Sequence, residues 1–293
     1  MKQSIIAIAL LSATLWQACT PQPPQDIIDI KIGETPKLTT GDNNPLIDFM
    51  FTADPTSVEH NGRLYVYATN DQEQYQHADK NSYEFIKSLI CISTEDMVNW
   101  TYRGLIETGK IAPWIVNSWA PSITEKEVDG VTTFYLYVSN SGCGVGVLTA
   151  TSPTGPWSDP LGQPLIYQNM PGLGDCPAPF DPGVVIDEHG DGWLSFGAGV
   201  SKKGRDYMPG TGRIVKLGKD MLSLDSEIAE IPAPYLFEAS ELDYINGTWV
   251  YTYNDSWMPR EEWPYKDIRK PAICSMAYMT SKAPLVKESW KYH

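Results

Sequence analysis

Three acidic residues stand at the openings of similar short segments: Ala53-Asp54-Pro55-Thr56, Phe180-Asp181-Pro182-Gly183 and Phe237-Glu238-Ala239-Ser240. A fourth copy, Trp119-Ala120-Pro121-Ser122, carries alanine in the same place. Carboxyl groups held in different surroundings can act as acid and base at one pH, because burial and neighbouring charge push their pKa values apart. Asp54, Asp181 and Glu238 are therefore the candidate catalytic residues. Taken singly, an Asp before Pro most often serves a turn; it is the shared column that singles these out. Glu241 competes locally with Glu238, but in a regular strand residues three apart face opposite sides, and Glu238 is preferred because it falls in the column.

The acids lie 127 and 57 residues apart, so only a fold that returns each copy to one centre makes a site of them. Each copy runs into a short strand, a Gly turn and a second strand, as in Gly62-Arg63-Leu64-Tyr65-Val66-Tyr67 and Gly247-Thr248-Trp249-Val250-Tyr251. A second half follows: Leu89–Ser93 leads to Trp100, Val145–Thr149 to Trp157 and Ile273–Tyr278 to Trp290, while Arg213–Leu217 leads to Leu224. Spacings of 66, 61 and 57 residues between copies, four strands each and no sustained helical period predict an all-β propeller with about four blades over 46–293. Inner strands of neighbouring blades converge on one axis. That geometry turns the acidic column into one pocket.

Around the acids, Trp119 is a candidate for stacking on a sugar face, with a packed core ring as the alternative. Phe180 is a weaker aromatic candidate, because neighbours of the acids on a strand point away from them. Asn140, closing a second strand, is a candidate for bonding sugar hydroxyls or a turn residue. The polar segment from Gln72 to Glu84 is long for a hairpin and could lie over the pocket. Asp187, Glu188 and Asp191 fall in a Gly-rich turn and read as solvated acids.

A glycosidic bond breaks through an oxocarbenium-like transition state that needs one protonated and one ionised carboxyl, about 6.5 to 9.5 Å apart when water attacks directly. The four blade openings, taken in order over residues 45 to 293, resemble those of glycoside hydrolase family 43, inverting enzymes on a five-bladed propeller related to families 32, 62 and 68. The resemblance implies that Asp54 is the general base, Glu238 the general acid and Asp181 the third carboxylate, which orients the acid and raises its pKa. It implies hydrolysis of arabinose- or xylose-containing plant polysaccharides or oligosaccharides. It names no cofactor or catalytic metal, and allows a structural calcium in the central channel. The family ring has five blades and four are legible here, so the expected propeller is C-terminally incomplete. The alternative function is a non-catalytic glycan-binding propeller of a surface polysaccharide-uptake system.

The formal net charge of −14 excludes a phosphate-backbone partner, and nucleic acid with it. Met1-Lys2 and the apolar run Ile5–Leu15 read as a secretory signal over 1–19. Leu15-Trp16-Gln17-Ala18-Cys19 resembles a loose lipoprotein cleavage site, and the Pro-rich start of 20–45 reads as a tether. The expected location is the periplasm or outer-membrane surface of a bacterium, with membrane attachment through a lipidated Cys19. Of the remaining cysteines, Cys91 and Cys274 lie in apolar strand-like runs and are expected as buried free thiols.

Overall fold

The computed structural model describes residues 46–47, 49–76, 82–174, 176–197, 207–260, 263 and 265–293. The expected signal segment, Cys19 and the tether to residue 45 lie outside the described residues.

Among the described residues sixteen strands form four antiparallel sheets of four. Blade 1 contains β1 (Ala53–His60), β2 (Arg63–Thr69), β3 (Leu89–Thr94) and β4 (Thr101–Ile106); blade 2 contains β5 (Trp119–Val128), β6 (Val131–Ser139), β7 (Gly144–Ala150) and β8 (Ile166–Tyr167). Blade 3 contains β9 (Gly183–Ile186), β10 (Gly192–Phe196), β11 (Gly212–Lys216) and β12 (Ala229–Ile231); blade 4 contains β13 (Leu236–Ile245), β14 (Thr248–Asp255), β15 (Met276–Ser281) and β16 (Lys291–Tyr292). Within each sheet sequential strands are neighbours. The described helices are single turns: α1 (Gln72–Tyr75), α2 (Thr108–Ile111) and short 3-10 segments.

The first hairpins of blades 1, 2 and 4 turn on Asn61-Gly62, Asp129-Gly130 and Asn246-Gly247, all six residues at positive φ. Two consecutive left-handed residues form the turn whose twist matches antiparallel strands, and Asn-Gly or Asp-Gly adopts it at least cost. Each turn fixes the register of its hairpin and so the height of the residue at the far end of the inner strand.

Apolar side chains fill the spaces between blades. Tyr67, Leu89, Ile123, Phe134 and Leu136 join blades 1 and 2; Tyr137, Val147, Val184, Leu194 and Phe196 join blades 2 and 3; Trp193, Ile214, Leu242, Tyr251 and Tyr253 join blades 3 and 4. Full burial of side chains of this size contributes about 1.5–3 kcal/mol each, which holds the inner strands together. The outer face of blade 1, with Ile90, Ile92, Trp100 and Tyr102, is packed by the lead-in residues Leu46, Ile47 and Met50. Trp100 and Trp290 are buried immediately before the outermost strands β4 and β16, whereas in blade 3 Leu224 lies five residues before β12 and bridges Leu217.

Cys91 is a buried free thiol; Cys274 is free but exposed, because β15 starts only at Met276 and the apolar run from Ile273 stays outside the sheet. Asp187 is buried: its carboxylate accepts from the His189 and Asp191 amides and from Trp193 Nε1 at 2.9 Å, so it organises the blade 3 turn and is not a solvated acid.

Candidate active site

At the opening of each inner strand the pairing register shifts. Ala53 pairs with Thr69 and Thr56 with Tyr67; Trp119 pairs with Ser139 and Ser122 with Tyr137; Glu238 pairs with Asn254 and Glu241 with Thr252. In blade 3, Gly183 pairs with Ser195 and the Gly197 amide donates to the Phe180 carbonyl. Three residues on the inner strand therefore oppose two on its partner, a bulge that re-aims side chains. Its centre is left-handed in every blade: φ is 48° at Asp54, 33° at Ala120, 51° at Asp181 and 55° at Ala239. Such conformations cost on the order of 1–3 kcal/mol each and cluster where function requires them.

This register corrects the sequence alignment. The backbone column is Asp54, Ala120, Asp181 and Ala239, and Glu238 stands one residue earlier, level with Ala53, Trp119 and Phe180. The bulge also puts Glu238 and Glu241 on the same face, where a regular strand would have separated them.

The four openings line one pocket of about 240 Å³, formed by Asp54-Pro55, Ala120-Pro121, Asp181-Pro182 and Ala239-Ser240-Glu241. Asp181 is buried on its wall, bonded from three sides: its amide donates to Ser139 Oγ (2.9 Å), its Oδ2 accepts the Ala239 amide (2.7 Å) and its carbonyl accepts Ser240 Oγ (3.3 Å). Burial pushes its carboxyl up to about 7; the Ala239 amide opposes that shift, and the charges of Asp54 and Glu238 add to it. Glu238 is half-buried, and burial first, then the Asp54 charge, holds its carboxyl above the usual range. Asp54 opens to the pocket, yet the protein around it displaces enough water to raise its carboxyl, with Asp71 adding to the shift. The structure thus couples all three carboxylates electrostatically.

Trp119, level with Glu238, is half-buried. Its Nε1 donates to the Tyr83 carbonyl at 3.0 Å, and the two rings meet edge to face with centroids 6.3 Å apart. The part of the Gln72–Glu84 segment that is described begins with α1, and Tyr83 to Ile86 is tied down by Asn117, whose amide donates to the Glu84 carbonyl at 2.7 Å. Phe180 is half-buried and its backbone closes the bulge. Asn140 is engaged elsewhere: its Oδ1 accepts the Val116 and Asn117 amides at 2.9 and 3.2 Å, and its Nδ2 donates to the Trp114 carbonyl, so it braces the connection into β5.

One participant escaped the sequence reading, and another, Glu241, was set aside in favour of Glu238. Asp71, bonded by Thr69 Oγ1 (2.5 Å) and Gln74 Nε2 (3.2 Å), sets part of the field at Asp54; nothing in its local sequence signals this. Glu241 lies at the pocket floor. Among the described residues no three His, Cys, Asp or Glu are grouped to hold a metal ion. A larger apolar recess of about 570 Å³ between the lead-in and blade 1 has no carboxylate among its lining and cannot serve acid–base chemistry.

Inner strands of a propeller that bring three coupled carboxylates together form an arrangement suited to acid–base chemistry. The chain belongs to the glycosyl hydrolases family 43, whose family model matches residues 43–292. It is 38% identical over 273 residues to an arabinoxylan arabinofuranohydrolase of Bacillus subtilis, covering 86% of this chain and 52% of that protein. It is 34% identical over 303 residues to one of Paenibacillus polymyxa, covering 98% and 46%. Among solved structures it is similar to a glycoside hydrolase family 43 arabinoxylan arabinofuranohydrolase from Bacillus subtilis in complex with cellotetraose, with a TM-score of 0.77 and 38% identity over 90% of this chain and 55% of that one. An α-L-arabinofuranosidase from Clostridium thermocellum matches with a TM-score of 0.65 and 33% identity, over 84% and 72%. The chain spans about half the length of the curated relatives it matches.

Proposed function

We propose that this chain is the propeller domain of an exported, lipid-anchored arabinofuranosidase that removes arabinose substituents from arabinoxylan with inversion. Asp54 acts as the base that draws a proton from the attacking water, and Glu238 as the acid that protonates the leaving oxygen. Asp181 fixes the blade 4 strand, and with it Glu238, through the Ala239 amide, while burial and the Asp54 charge favour the protonated form of Glu238. The observation that carries this is that Asp54 and Asp181, of unequal burial, line one pocket, and that Glu238, on the strand beside it, is close enough to both for their charges to interact. The substrate follows the printed names of the relatives. It is supported by exposed rings at the site end of the blades: Phe51 beside Tyr75 with centroids 4.5 Å apart, Tyr83, and Trp257 beside Phe237 at 4.6 Å, because aromatic faces suit the apolar faces of sugars.

The test is incubation with nitrophenyl α-L-arabinofuranoside and with arabinoxylan, followed by NMR of the first-formed anomer. Release of arabinose with the β anomer appearing first is expected. Binding of arabinoxylan oligosaccharides without any product would replace this function with the non-catalytic glycan-binding one.

A further inference from the structure

The three seams between inner strands repeat one contact, and the third departs from it. From blade 1 to blade 2, the Ile123 amide donates to Thr56 Oγ1 at 3.3 Å; from blade 2 to blade 3, the Val184 amide donates to Ser122 Oγ at 3.0 Å. Thr56 and Ser122 are equivalent in register, and their blade 3 counterpart is Gly183. Gly183 has no side chain to offer the Leu242 amide of blade 4. A Cβ there would stand 2.6 Å from the Leu242 nitrogen, 2.7 Å from Ser195 Oγ and 2.9 Å from Glu241 Oε1. Blades 3 and 4 approach too closely for a hydroxyl, and the Glu241 carboxyl fills the place. Its Oε1 accepts the Leu242 amide at 3.1 Å and the Ser122 hydroxyl at 3.3 Å.

We infer that Glu241 is a positioning residue for the catalytic trio, the clamp that joins blades 2 and 4 across Gly183 and so fixes Glu238 relative to Asp181. Glu238 is three residues before Glu241 on the same bulged strand, and Asp181 two residues before Gly183. A slack seam at Leu242 therefore displaces both carboxyls, and the Ala239 amide bonded to Asp181 lies between them. The half-buried carboxyl accepts two hydrogen bonds, and the protein packed around it pushes it up to about 8, against the Leu242 amide and with the Asp243 charge. It therefore fills the gap without adding a fourth full charge to the site at neutral pH. This role rests on the hydrolytic function proposed above.

The test compares Glu241→Thr, the residue used at the equivalent place in blade 1, with Glu241→Gln, whose amide oxygen can still accept from Leu242 and Ser122. On nitrophenyl α-L-arabinofuranoside, Glu241→Thr should lower kcat on the order of tenfold or more with KM within about twofold, since an ångström of misplacement at a reacting centre costs up to about a hundredfold. Glu241→Gln should recover most of the lost kcat. Wild-type kcat in Glu241→Thr, or equal losses in both variants, overturns the inference. If Glu241→Thr does not fold, Ser122→Ala decides: kcat should fall about threefold at unchanged KM, and an unchanged kcat overturns it. Should the wild-type chain release no arabinose, the function fails separately, and amide exchange at Leu242 and Ala239 tests the clamp alone. Faster exchange in Glu241→Thr than in Glu241→Gln supports it, and equal protection overturns it.

Discussion

Asp54 and Asp181 share a motif, a backbone conformation and a position in their blades, and they differ in surroundings. Both precede proline, both are left-handed within a few degrees of each other, and both open an inner strand at a three-against-two bulge. Asp54 belongs to blade 1 and opens to the pocket, whereas Asp181 sits between blades 2 and 4, buried, with Ser139 at its amide and Ala239 at its carboxylate. An exposed carboxylate can draw a proton from water. A buried one, tied to Ser139, Ala239 and Ser240, is suited to holding the geometry of its neighbour Glu238. Position in the ring, and the blades packed on either side, decide which role a repeated Asp-Pro takes.

The largest break in this comparison comes from removing the carboxylates. Asp54→Asn should lower kcat by about a thousandfold or more, within the upper range of acid–base contributions, and Glu238→Gln should match it, each with an unfolding transition like that of the parent. Asp181→Asn should cost about a hundredfold in kcat, with the same substrate binding, because it weakens the orientation of Glu238 and leaves the reacting groups in place. Steady-state kinetics on nitrophenyl α-L-arabinofuranoside check both; equal losses at Asp54 and Asp181 would erase the division of roles.

Stability separates the two further. The folded pKa of Asp181 is raised to about 7, against about 3.9 for an unfolded aspartate. Between these values the folded chain binds the extra proton, so the contribution is full below about pH 4 and is lost as pH rises toward 7. Asp181→Asn, which carries no charge, should therefore be more stable than the parent at pH 8, by at most about 4 kcal/mol, and the gain should fade toward pH 4. Thermal unfolding across that window measures it. The smallest effect is expected at Asp71, whose charge adds to the raised pKa of Asp54. Asp71→Asn should move the acid limb of the kcat/KM profile toward lower pH with little change at its maximum.

The blades were legible because short alternating strands and Asn-Gly or Asp-Gly turns are local signals. So was the convergence of the acids, which follows from four copies of one unit. The bulge was not. It is a difference in residue count between two paired strands, visible only once Glu238 is matched to Asn254 and Glu241 to Thr252, and it moves Glu238 out of the column that suggested it while leaving its carboxyl within electrostatic reach of Asp54 and Asp181. Asn140 read as a sugar ligand because strand ends surround the site, yet backbone amides of 116 and 117 claim its carbonyl. Asp187 read as solvated because its turn is rich in Gly and charge, whereas the indole of Trp193 beneath it demands an acceptor. Each of these depends on partners distant in sequence or on pairing across strands.

The division of roles between the two aspartates is tested most directly by following the carboxyl carbon resonances of Asp54 and Asp181 by NMR as pH is raised, with Asp54→Asn and Asp181→Asn to assign them. Asp181 should lose its proton near pH 7, after Asp54. Titration of Asp181 near pH 4, or before Asp54, would contradict it.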